Sequence, residues 1–179
     1  MLQMNKAALV LIDIQGKLAT LMHKKEQFYE NCVKMIQGAK TLGLPILWNE
    51  QIPDKLGPTI DEIKTALGDG TPLVKKTFSC CGNPDFVREL EKLNRKQVLL
   101  IGMETHVCVW QTAQDLLQNG YEVYLISDAV SSRSKENKRI GLQAMTGAGA
   151  KISSVEMALF EMLQQAEGDQ FRQCIKIIK

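Results

Sequence analysis

Apolar residues in this chain fall into two kinds of run. Short continuous runs alternate with longer stretches in which apolar side chains recur every three or four positions. The continuous runs predict strands at Ala7–Asp13, Pro45–Trp48, Pro72–Val74, Gln97–Ile101, Glu122–Ser127 and Lys151–Ser153. Runs without polar alternation fit strands buried on both faces. The periodic stretches predict helices at Lys24–Leu42, Asn83–Leu93, Val107–Gln118, Lys135–Thr146 and Val155–Glu161. Gly43, Gly120 and Gly149 follow helices as C-terminal punctuation, and Asn83-Pro84 reads as a cap followed by a first-turn proline. The segment between Trp48 and Pro72 is longer and marked by Gly and Pro, with one helical turn expected near Thr59–Leu67. A long loop at the carboxyl end of a strand usually shapes a pocket. From Asp169 onward a short terminal helix or tail is expected, its apolar Ile175–Ile178 suited to an interface.

Strands alternating with helices imply βαβ units and a parallel sheet covered on both faces. The expected fold is α/β: a three-layer α/β/α, Rossmann-like domain with a six-stranded parallel sheet. The commonest doubly wound order is 3-2-1-4-5-6. There is no internal repeat, low-complexity tract or linker, so residues 1–179 are expected to form a single domain.

Composition narrows the partners. Net charge is +2, with Lys and Arg scattered among acids, so no basic nucleic-acid footprint is visible. No apolar run approaches a membrane span, and the N-terminus lacks a signal-peptide pattern. Five Cys without C-x-x-C spacing fit a reducing, cytoplasmic setting. Only two His, His23 and His106, are present, which leaves no multi-His metal site. Neither a cofactor nor a metal is expected.

Candidate chemistry follows from the strand order. Ligands of open α/β sheets bind beyond the carboxyl ends of the strands where the order reverses, here between strands 1 and 4. Strand 1 ends at Asp13. Strand 4 ends just before Gly102-Met-Glu-Thr-His-Val-Cys-Val-Trp-Gln-Thr-Ala113, which places Cys108 at a strand-to-helix turn. The N–H groups of a helix start favour a thiolate and can bind an oxyanion. Strand 3 ends at Lys75-Lys76, near enough to lean in. A carboxylate, a thiol and an ammonium are the parts needed for covalent attack on an acyl carbon.

These residues resemble the isochorismatase-like cysteine hydrolases over nearly the whole chain. Leu-Ile-Asp13-Ile-Gln15, Lys75-Lys-Thr-Phe-Ser79 and Gly102–Ala113 carry the resemblance, with Ser127-Asp-Ala-Val-Ser-Ser-Arg133 as a weaker block. The resemblance implies an Asp-Lys-Cys triad at Asp13, Lys75 and Cys108, with Lys75 preferred to Lys76. It also implies a cis peptide between Met103 and Glu104, and an oxyanion hole formed by the N–H groups of Glu104 and Cys108. Nicotinamidases of the family carry a metal site near the loop after strand 2. Here that loop, Asn49–Gly57, contains no His, which argues against a metal-dependent nicotinamidase. Family members that hydrolyse isochorismate can lack the cysteine, so Cys108 favours an amide of a small molecule, cleaved through a thioester. Homo-oligomers are common in the family.

An ordinary thiol is a few per cent ionised at neutral pH, so full ionisation adds only ~30-fold. One oxyanion donor is worth ~10²–10³. On that basis loop geometry should matter more than thiol acidity. Several residues have plainer readings. Gln15 either orients loop backbone or touches substrate, and Trp48 and Phe78 either wall the pocket or pack in the core. His106 resembles a general base, but a helix-start or packing role fits its place better. Cys80-Cys81 could form a redox pair, although adjacent cysteines make a strained disulfide. A catalytically silent member that binds a ligand or a protein is the alternative to an enzyme.

Overall fold

The six strands of a computed structural model, which describes residues 1–179, form one all-parallel sheet in the order β3-β2-β1-β4-β5-β6. They are β1 (Ala7–Ile12), β2 (Ile46–Gln51), β3 (Leu73–Lys75), β4 (Gln97–Met103), β5 (Glu122–Ser131) and β6 (Lys151–Ser153). The helices are α1 (Gly16–Ala19), α2 (Lys25–Thr41), α3 (Pro53–Leu56), α4 (Asp61–Leu67), α5 (Pro84–Lys92), α6 (Trp110–Gln118), α7 (Lys135–Gly147), α8 (Val155–Leu163) and α9 (Gly168–Ile178).

Every residue of β1 and β4 is buried, as the unalternated apolar runs require. Their side chains divide between two cores by the period of two that a strand imposes. Leu9, Leu11, Leu99 and Ile101 face α2, α8 and α9, while Val10, Ile12, Val98 and Leu100 face α5, α6 and α7. Asn83 caps α5 by accepting from the Asp85 N–H at 3.1 Å, with Pro84 in the first turn. Ser134 and Ser154 cap α7 and α8 in the same way.

The differences from expectation lie mostly at the carboxyl ends of the strands. β2 runs three residues past Trp48 to Gln51, β3 ends on Lys75, and β5 continues to Ser131 after a register shift between Leu100 and Gly102 of β4. The β2 and β3 extensions carry no apolar signal because Gln51 and Lys75 face the site, whereas the β5 extension sends Ala129 and Val130 back into the two cores. The helix expected at Val107–Gln118 begins instead as a single wide turn, Thr105–Val109, in which the Val109 N–H reaches the Glu104 carbonyl five residues back. The C-terminal isoleucines are half-buried: the expected terminal helix forms as α9, which packs on α2 and buries Cys174. No helix is long and apolar enough to cross a membrane.

β1 and β4 touch at the switch point, and their closeness depends on Gly102. Its φ is +131°, and a Cβ there would lie 2.1 Å from the Ile12 carbonyl oxygen. Only glycine lets the two strand ends, and so the residues just past them, come this near.

Candidate active site

Asp13 is the first residue past β1 and is 5% exposed, with a φ of +55° that Asp tolerates better than most residues. Alternation along β3 leaves Val74 and Lys76 exposed and turns Lys75 inward, 2% exposed. Its Nζ donates to Asp13 Oδ2 at 2.6 Å, to the carbonyls of Phe78 at 3.0 Å and Thr77 at 3.1 Å, and to Gln51 Oε1 at 3.3 Å. An ammonium has three protons, so four acceptors leave it nothing to spare for a ligand. The structure therefore brings Lys75, and not Lys76, to Asp13.

Asp13 Oδ1 is buried and accepts no well-formed hydrogen bond. Burial pushes the Asp13 carboxyl above its usual range, and the neighbouring Lys75 charge and hydrogen bond, with contact from the Cys108 thiol, pull the other way. Cys108 lies on the wide turn, 7% exposed, and its thiol donates to Gln51 Oε1 at 3.3 Å. The Met103–Glu104 peptide is cis, and the Glu104 backbone N–H is among the groups that favour the thiolate of Cys108.

The thiol itself is far from activated. Burial, then the Asp13 charge, push it up to about 12, with Lys75 and the Glu104 N–H opposing. The N–H groups of a helix start favour a thiolate, and burial at Cys108 acts against them. At neutral pH the ionised fraction falls to ~10⁻⁵. A thiol held so high differs from the ordinary thiol on which the ranking of loop geometry over acidity was based.

Two further residues complete the wall. Gln15 accepts from the Gln51 N–H at 2.7 Å and donates to the Gln51 carbonyl at 2.9 Å and the Gly57 carbonyl at 2.7 Å. It is thus a clamp that fixes the end of β2 and the following loop, while also lining the cavity beside Cys108. Gln51, missed from the sequence, meets both Lys75 and the thiol. Its polar neighbours Asn49 and Glu50 gave no sign of it, since the apolar run that marks β2 stops at Trp48.

Trp48 and Phe78 do not line this cavity. The Trp48 ring packs in the α2-side core and its Nε1 donates to Thr59 Oγ1 at 2.7 Å. Phe78 is 52% exposed, and its carbonyl reaches the site by accepting from Lys75. Leu18, Leu56 and Met103 supply the apolar wall in their place. His106 stands outside, with Nδ1 3.0 Å from Ser132 Oγ and 3.4 Å from Glu104 Oε2. The Glu104 carboxylate also accepts from Arg133 Nε at 2.6 Å and the Arg133 N–H at 3.3 Å. All five cysteines are free; burial holds the Cys80 thiol far above its usual value and pushes Cys81 up to about 11. No group of three or more His, Cys, Asp or Glu side chains is arranged to hold a metal.

An isochorismatase domain is matched over residues 7–157, and the chain belongs to that family. It is 37% identical over 172 residues to the isochorismatase domain-containing protein 2 of Rattus norvegicus, covering 96% of this chain and 80% of the rat protein. Among solved structures, one described as the MAR1 ribonuclease of Caenorhabditis elegans superposes with a TM-score of 0.92 at 31% identity, covering 99% of this chain and 91% of that one. The YcaC gene product of Escherichia coli, described as an octameric hydrolase of unknown specificity, has the same fold, with a TM-score of 0.93 at 23% identity over 99% of this chain and 88% of its own. Family and fold are those of the isochorismatase-type hydrolases.

Proposed function

We propose that the protein is a cysteine hydrolase that cleaves a C–N bond of a small molecule through a thioester on Cys108. The observation that carries this reading is the Asp13 carboxylate. Lys75 holds one oxygen, and the other lies buried and unengaged beside the Cys108 thiol. A free, desolvated carboxylate oxygen next to a nucleophile precursor is a general base in position.

Asp13 Oδ1 takes the thiol proton as the sulfur attacks the substrate carbonyl. The N–H groups of Glu104 and Cys108 receive the developing oxyanion. As the C–N bond breaks, Asp13 returns the proton to the departing amine. Water, deprotonated by Asp13, then attacks the thioester, and the proton goes back to the sulfur as the acid leaves. Lys75 fixes the carboxylate throughout and lowers the cost of charge on sulfur. Because the resting thiol sits so high, proton transfer and attack proceed together and no stable thiolate precedes them.

A panel of small amides and esters, assayed with wild type and Cys108→Ala, tests this. Expected is at least one amide hydrolysed by wild type and not by the variant. Equal rates in the two proteins would remove Cys108 from the mechanism. The relative described as a ribonuclease raises phosphodiester cleavage as a second reading. The cavity beside Cys108 contains no Lys, Arg or His to meet a phosphate, and this favours the amide. A homo-oligomer belongs to the same proposal. Light scattering that returns the 20.0 kDa mass of a single chain would exclude it.

A further inference from the structure

The cavity over Cys108 is about 30 Å³, enough for one or two water-sized groups. Its apolar side is formed by Leu18, Leu56 and Met103, and its polar side by Asp13, Gln51 and Glu104 around the thiol. Every cation near it is already committed. Lys75 is saturated by four acceptors, and Arg133 is held on Glu104. A carboxylate or phosphate entering here would face the Asp13 charge with no free partner. An unpaired buried anion is strongly disfavoured.

The wall formed by Leu56 is held firmly. A Cβ on Gly16 would stand 1.7 Å from the Leu56 carbonyl oxygen, so the α1 and α3 backbones meet with no room for a side chain. Gln15 holds the Gly57 carbonyl, the Gly16 N–H donates to the Pro58 carbonyl at 3.0 Å, and the buried Glu50 carboxylate accepts from the Thr59 N–H at 2.6 Å and Thr59 Oγ1 at 2.7 Å. Leu56 lines the cavity and is 39% exposed, so it also meets solvent.

We infer that the site selects small uncharged acyl groups, of the size of formyl, acetyl or carbamoyl, and rejects anionic substrates, with Leu56 as the residue that sets both limits. This rests on the Cys108 reading and narrows it to a substrate class. Size is limited because Leu56 caps the cavity, and charge because that cap is apolar where a substrate carboxylate would need a cation.

Three thiol probes test it on the intact protein: iodoacetamide, its size-matched anion iodoacetate, and the bulkier N-phenyl iodoacetamide. Rates at Cys108 are read by peptide mass spectrometry and divided by those at glutathione. Wild type should favour iodoacetamide over iodoacetate by ~10-fold or more beyond the glutathione ratio, because the anion lacks a partner. It should disfavour the phenyl probe comparably. Leu56→Ala should restore the phenyl probe while leaving the charge preference. Leu56→Lys should bring iodoacetate up to or above iodoacetamide. Circular dichroism of both variants checks that the fold is kept; Leu56 is partly exposed, so both should fold. Normalised ratios at Cys108 equal to those of glutathione, or unmoved by either Leu56 variant, would overturn the selection while leaving the nucleophile in place. A wild-type Cys108 that reacts no faster than Cys32 or Cys174 with all three probes would overturn both.

Discussion

Two carboxylates beside the same cavity are each tied to a cation by a 2.6 Å bond, yet they are not equivalent. Asp13 meets Lys75, whose side chain is fully buried, and uses one oxygen. Glu104 meets Arg133, whose side chain is 57% exposed, and uses both: Oε1 on the guanidinium, Oε2 on the Arg133 N–H with His106 close by. Bond length does not separate the carboxylate proposed as a base from the one that anchors a loop. What separates them is the valence left over. Asp13 Oδ1 has no partner and faces a thiol, so it can take a proton. Both Glu104 oxygens are engaged, which suits it to anchoring the loop on which Cys108 sits.

That contrast is broken first by rate. Asp13→Asn should lower hydrolysis of whichever amide the panel identifies by ~10²–10⁴. Glu104→Gln should cost about 5-fold, the rate equivalent of ~1 kcal/mol for a partly solvated pair. Comparable kcat/KM losses in the two variants would erase the distinction.

Stability sharpens the same comparison. Lys75→Met strands a buried carboxylate and should cost ~3–5 kcal/mol in urea unfolding. Arg133→Met removes a half-exposed partner and should cost ~1 kcal/mol. Similar denaturation midpoints would mean that burial does not distinguish the pairs.

The smallest effect is on titration. The ¹³Cβ shift of labelled Cys108 should show no thiolate below pH 10, because burial pushes the thiol up to about 12. Asp13→Asn removes one of the two leading causes of that rise. Its thiol should therefore titrate lower than wild type, though still above the ordinary value because burial persists. The linked stability has a definite sign. A thiol raised in the fold favours the neutral form, so its contribution holds below pH ~9 and is lost as pH climbs from there toward about 12. An unchanged thiol titration in Asp13→Asn would show that the carboxylate does not act on the sulfur.

Legibility in the sequence followed burial. β1 and β4, buried on both faces, read from the sequence as Ala7–Asp13 and Gln97–Ile101 and run over Ala7–Ile12 and Gln97–Met103, within two residues at each end. The motif residues Asp13, Lys75 and Cys108 were visible, and the structure sets the first two 2.6 Å apart with the thiol against them. Gln51 was hidden because a polar strand end facing a cavity carries no periodic signal. Trp48 and Phe78 were drawn to the pocket by their position after strands, but an aromatic ring goes where volume and a partner exist. Trp48 found Thr59 in the core, and Phe78 turned outward.

The linear sequence determined the alternation of strand and helix, and with it the parallel sheet and its switch point, because those follow from local periodicity and the handedness of crossover connections. It also named Asp13, Lys75 and Cys108 as candidates for the chemistry, since chemistry belongs to residue types. Only the tertiary structure decided their state. The neutral thiol, the carboxylate oxygen left unengaged, the saturated lysine and the apolar cap over the cavity all depend on which groups share a buried volume. Desolvation and hydrogen-bond valence are set by neighbours in space, which the order of residues does not state.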